Sequence, residues 1–190
     1  MHVQNRTFNT MFLQILGICI VWYLSFNLNE IVFAFTKVIP GVNLIFLPSM
    51  LRVATVLLFG WTAAVGMGLG TFILIAERFN DPAWARTELQ IVLTILADII
   101  GPILAVFIGT RIMSIKNTLA GLSTVHIFAF AILGAVCNSI LHRFSYYAGD
   151  AAVPAFFDST VPMFTGDMMG AVLMLYTLSM SLRGWESFKK

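Results

Sequence analysis

Long apolar runs separated by short polar breaks dominate this chain. Phe8–Phe26 is a largely apolar run of 19 residues that ends at the polar stretch Asn27-Leu28-Asn29-Glu30. At 1.5 Å per residue, about 20 residues cross the hydrocarbon core of a bilayer, so the run predicts a spanning helix. Leu89–Ile112, Ala120–Leu141 and Val161–Leu182 predict three more. Asp81-Pro82 reads as an N-cap followed by proline at the first helical position, ahead of the Leu89 run. The longest polar connection, His142–Thr160, carries Tyr146, Tyr147, Phe156 and Phe157 and reads as an interfacial segment or lid.

The pattern is broken over Ile31–Ala76 by Lys37, Pro40-Gly41, Pro48, Arg52 and Gly60. Leu44–Ala76 is 33 residues, too long for one ordinary span. The preferred reading is two short helices, Leu44–Phe59 and Trp61–Ala76, reversing at Gly60. The other is one span near Val53–Ala76, with Ile31–Met50 dipping in and out. Broken helices at membrane depth are tolerated where they face protein or a wet cavity. The expected fold is all-α: a polytopic integral membrane bundle of about six helices, residues 1–190 forming one transmembrane domain.

Composition agrees. Hydrophobic residues make up 59% of the chain and charged residues 11%, with a mean hydropathy of +0.90. Soluble domains carry about 25% charged residues, so the solvent implied for this surface is lipid. A net charge of +2 with no basic cluster excludes a nucleic-acid partner. Arg6 is the one basic residue before the first run, and no small-residue cleavage site follows, so that run is expected to be retained. Cys19 and Cys137 lie inside apolar runs and read as small hydrophobes rather than as a disulfide or metal pair.

Basic residues orient the chain. With six spans, Arg6, Arg111, Lys116, Arg183, Lys189 and Lys190 fall on one side and Lys37, Arg78, Arg86 and Arg143 on the other. The richer side is expected to be the cytoplasm of a bacterial inner membrane. Five spans would flip the N-terminus but leave the Arg111–Lys116 loop and the C-terminus cytoplasmic.

Three charges fall within the apolar runs: Arg52, Asp98 and Asp167. Each costs about 2.5–3.5 kcal/mol at a helix centre, so Arg52 is expected to face inward and pair with Asp98 or Asp167. Pro48, one turn earlier, is expected to free a carbonyl for the guanidinium. One arginine cannot fully satisfy two acids. The split favoured is Asp98 as structural partner and Asp167, beside Gly166, as the ligand-facing group; a purely structural ion pair is the alternative. His126 and Asn138 share a drifting i,i+4 row and suit helix-bridging hydrogen bonds, with metal ligation the weaker reading for His126. Gly66/Gly70 and Gly166/Gly170 form small-residue pairs suited to close helix packing, within the chain rather than between copies. No hydrolase, metalloprotease, nucleotide-loop or zinc signature is present, which points away from an enzyme and from any cofactor or metal.

Leu47-Pro48-Ser49, Leu57-Leu58-Phe59-Gly60-Trp61, Gly66–Gly70 and Gly166-Asp167-Met168-Met169-Gly170 together resemble the bacterial membrane-associated sensor (MASE) domains. The resemblance implies a helical module that senses a small ligand. Those domains have more helices and feed a cytoplasmic output domain. Only eight residues follow Leu182 here, so a separate membrane-protein partner is expected to receive the signal. The architecture is also similar to the substrate-capture components of energy-coupling-factor vitamin transporters. An accessory subunit of a larger membrane complex is the third reading.

Overall fold

A computed structural model describes residues 8–84, 86–114, 123–148 and 156–188. It is an all-α bundle. The helices are α1 (Phe8–Val32), α2 (Pro48–Phe59), α3 (Trp61–Glu77), α4 (Glu88–Ile112), α5 (Thr124–Tyr147) and α6 (Phe156–Phe188). A small antiparallel hairpin, β1 (Lys37–Ile39) and β2 (Val42–Asn43), lies between α1 and α2, with Lys37 opposite Asn43 and Ile39 opposite Val42.

Among the described residues, three helices, α1, α4 and α5, are long and apolar enough to cross a membrane, at 25, 25 and 24 residues. Their outward faces are apolar too. Phe8, Phe12, Leu16, Ile20, Leu24 and Leu28 form an exposed i,i+4 stripe down α1. A continuous apolar stripe of that length is the surface lipid would cover.

The short helix α2 is the hub of the bundle, touching α1, α3, α4, α5 and α6. Around it the neighbours run α1–α3–α4–α5–α6. A 12-residue helix cannot cross a bilayer unaided, at about 18 Å. Enclosed by five others, it needs neither length nor a lipid-compatible surface, so it can carry Arg52.

The chain reverses at Gly60, as the first of the two readings expects. Gly60 has φ 69° and ψ −139° and separates α2 from α3. Thr55 and Met67, twelve residues apart, would be about 18 Å apart on a continuous helix; instead Thr55 Oγ1 lies 3.9 Å from Met67 Sδ.

Several boundaries differ from expectation. α1 does not stop at Phe26 but continues through Asn27–Glu30. The Asn29 amide donates to the Ile45 carbonyl (3.2 Å) and its Oδ1 accepts from Leu47 N–H (2.9 Å), so the segment entering α2 satisfies what reads as a polar stop. Asp81-Pro82 does not cap α4. Pro82–Trp84 form a separate short turn, and Thr87 caps α4 through a reciprocal box with Gln90. Pro48 frees no intrahelical carbonyl, because it opens α2. Residues 142–147 belong to α5 rather than to a connection, and Phe156 already opens α6. Ala120 and Lys116 lie outside the described residues.

Both glycine pairs pack inside the chain. A Cβ on Gly66 would sit 2.7 Å from the Ile15 carbonyl oxygen, and one on Gly70 2.7 Å from Trp22 Cδ1, so α3 meets α1 there. Gly166 and Gly170 admit the backbone carbonyls of Asn43 and Phe46 against α6, and Phe46 N–H donates to the Gly166 carbonyl (2.9 Å).

Candidate functional site

The central position of α2 puts Arg52 among the other helices, and its guanidinium bridges both acids. Nη1 lies 3.0 Å and 3.3 Å from the two carboxylate oxygens of Asp167 on α6; Nη2 lies 3.5 Å from Asp98 Oδ1 on α4. The expectation of one partner or the other resolves to both. Arg52, Asp98 and Asp167 are 7%, 4% and 3% exposed, so all three charges are withdrawn from the surface. The guanidinium carbon also sits 5.0 Å from the ring centroids of Trp22 and Phe46. Aromatic faces and carboxylates compensate a desolvated cation in complementary directions.

Each acid has its own further partners. Asp167 accepts from Asn138 Nδ2 on α5 (2.7 Å), and Ser49 Oγ donates to the Asp167 backbone carbonyl (2.7 Å). Asp98 accepts from Thr71 Oγ1 (2.6 Å), which accepts from Trp22 Nε1 (2.9 Å). His142 Nε2 lies 3.3 Å from Asp98 Oδ1. Pro102 lacks the N–H that would bond the Asp98 carbonyl, and Gly101 lets α5 approach α4 beside Asn138.

These residues line a cavity of about 60 Å³, bounded by Trp22, Phe46, Arg52, Asp98, Asn138, His142 and Asp167 below and by Val42, Trp84, Arg86 and Tyr146 toward its mouth. The mouth is at the end of the bundle away from Gly60. There Trp84 faces three cations, Lys37, Arg78 and Arg86, at 5.5, 5.1 and 6.0 Å. Arg86 donates to Thr94 Oγ1 (2.7 Å).

Asn138 therefore joins the Arg52 cluster, whereas His126 does not. His126 occupies the third position of α5, its Nδ1 accepting from the Ser123 N–H (3.2 Å), and serves as a helix cap. It stands twelve residues from Asn138, about 18 Å along the helix. Ser123 three residues before His126 is the local pattern that takes it there. The histidine at the site is His142, which sequence reading put in a polar connection. Its one available signal was i,i+4 spacing from Asn138. Thr71, Trp22 and Phe46 gave none, since an apolar run hides which residues face inward. Cys19 is buried on α1, Cys137 half-buried on α5, and both are free thiols.

Fold and site together define a helical-bundle chain with, among the described residues, three membrane-length apolar helices and a charged, partly enclosed interior cavity. No protein-family model matches the chain, and no curated protein or solved structure matches it.

Proposed function

We propose that this chain is a non-enzymatic, multi-pass module of a bacterial inner membrane, its C-terminus cytoplasmic, that binds a small polar ligand in the Arg52–Asp98–Asp167 cavity. It reports the ligand to a separate membrane partner, as a sensor of the MASE kind would. The observation that supports this best is the joining of four helices at one charged cluster beside an open cavity. Arg52, Asp98, Asn138 and Asp167 come from α2, α4, α5 and α6, so a ligand that altered any one pairing would shift those helices against one another. A structural ion pair alone needs no cavity. The substrate-capture reading draws on free small-residue faces for docking, and the two glycine pairs are occupied internally.

The test is a melting screen of the full chain in lipid nanodiscs against small neutral, anionic, cationic and zwitterionic solutes. A ligand of this site raises Tm saturably in the wild type and not in Asp167→Asn. A panel that shifts no melting point, or shifts both proteins equally, overturns the reading. Co-purification from native membranes identifies the partner: a kinase or cyclase supports sensing, an ATPase or one large complex overturns it.

A further inference from the structure

Polar atoms around the cavity that lack a hydrogen-bond partner divide by whether a solute can touch them. Those on Asn43, Asn138 and Arg52 are sealed by packing, out of reach of anything in the cavity. Arg86 and Tyr146, toward the mouth, differ. Nη1 of Arg86 donates to Thr94 Oγ1 (2.7 Å), whereas its Nε and Nη2 and the Tyr146 hydroxyl bond to nothing among the described residues. Both residues are half-buried and line the cavity, and none of these three atoms is sealed. All three can donate: two N–H positions of a guanidinium and one O–H.

The charge of Arg86 is also unmatched by its neighbours. An arginine stays a cation whatever the groups around it do, so its charge is fixed. Among the described residues no carboxylate pairs with it. Asp98, one turn beyond Thr94 on α4, is held by Arg52, Thr71 and His142, and Asp167 by Arg52 and Asn138. Glu30, on α1, is held by Lys37 and Asn43. Lys37 and Arg78 meet the same Trp84 ring as Arg86 and add positive potential at this end. Gly41 in the hairpin turn keeps side-chain bulk out of the approach: a Cβ there would sit 3.8 Å from Arg86 Nη2 and 3.3 Å from the Trp84 ring.

Resting on the reading of this cavity as a ligand site, we propose that Arg86 and Tyr146 form an oxyanion subsite at its mouth, which holds the carboxylate or phosphate group of a small anion. Nε and Nη2 share one edge of the guanidinium and donate side by side to two oxygens of the anion, the geometry in which arginine binds such groups most strongly. The Tyr146 hydroxyl donates to one of the same oxygens. No covalent step is involved.

Saturation-transfer NMR on the full chain in phosphatidylcholine nanodiscs tests this with acetate, acetamide and methylammonium at millimolar concentration. Acetate is expected to bind saturably and at least about tenfold more tightly than the other two, a difference of about 1.4 kcal/mol. Inorganic phosphate is expected to displace it. Acetate binding is expected to be lost in Arg86→Gln and weakened about tenfold in Tyr146→Phe, which removes one hydrogen bond to a charged group. It is expected to weaken in Arg86→Lys, which keeps the charge but lacks the paired donors, and to persist in Arg111→Gln, at the other end of α4. Adding phosphatidylglycerol separates the sources: acetate binding left unchanged assigns the subsite to a free solute, and acetate displaced assigns it to a lipid phosphate. Acetamide or methylammonium binding more tightly than acetate would overturn the oxyanion class and leave the cavity reading standing. Acetate binding unchanged in both Arg86→Gln and Tyr146→Phe overturns the subsite alone. No probe binding at all overturns subsite and cavity reading together. The wild-type ranking decides the class even if a variant does not fold.

Discussion

At the scale of single residues, the cluster is asymmetric: one guanidinium serves two acids, so removing either kind of charge has different consequences. Arg52→Ala leaves Asp98 and Asp167 buried and facing each other without a cation. Breaking a buried pair in this way costs about 3–5 kcal/mol. Asp167→Asn instead leaves Arg52 balanced by Asp98, and the new amide can still meet Arg52 through its oxygen. Unfolding in detergent micelles is expected to show the larger loss for Arg52→Ala, with Asp167→Asn remaining folded but failing to respond to ligand. Equal losses in the two variants would mean that the second acid needs Arg52 no more than the first. That Arg52 faces inward was legible in the sequence, because an arginine facing lipid is too costly to retain. That it meets both acids was not, since the distances among α2, α4 and α6 are set by packing.

At the scale of elements, the glycines divide into those that fill a contact and those that do not. Gly166 and Gly170 let the strand β2 and the segment entering α2 lie directly on α6. A methyl group at Gly170 would collide with the Phe46 carbonyl, which is backbone and cannot rotate away. Gly170→Ala is therefore expected to destabilise by about 1–3 kcal/mol or more, and to loosen the Phe46 wall of the cavity. Gly17 on α1 has nothing within 4 Å of a Cβ, so Gly17→Ala is expected to be neutral or to stabilise by up to about 1 kcal/mol. Gly60→Ala tests the reversal: its positive φ disfavours any Cβ, and a cost of about 1–2 kcal/mol is expected although the space there is open. Thermal melting of the three variants side by side checks all of these, and a stabilised Gly60→Ala would contradict the turn. The spacing of the glycines marked the close contacts in advance. Which backbone Gly166 and Gly170 would admit was hidden, because their partners Asn43 and Phe46 are over a hundred residues away in sequence.

At the scale of the whole molecule, Lys37, Arg78 and Arg86 gather at the cavity mouth around Trp84, at the end opposite Gly60. In the proposed orientation, with the more basic loops in the cytoplasm, this end would face outward and the proposed ligand would enter from outside. A cysteine added after Lys190, in a background lacking Cys19 and Cys137, is expected to resist an impermeant thiol reagent in intact cells, whereas one replacing Arg86 is expected to react. The reverse pattern would invert the orientation and the route of entry. The sequence by itself determined the solvent of this protein and its class. An apolar run of spanning length has few alternatives to a helix, and a buried charge has few alternatives to a partner. It also determined that Ile31–Ala76 would be interrupted, since Pro48, Arg52 and Gly60 forbid one continuous span. Tertiary structure alone decided that α2 is the enclosed hub, that α1 continues through Asn27–Glu30, and that His142 rather than His126 stands at Asp98. The reason is common to all three. Local sequence records which groups require a hydrogen-bond or charge partner. Which partner each finds depends on segments that become neighbours only when the helices pack.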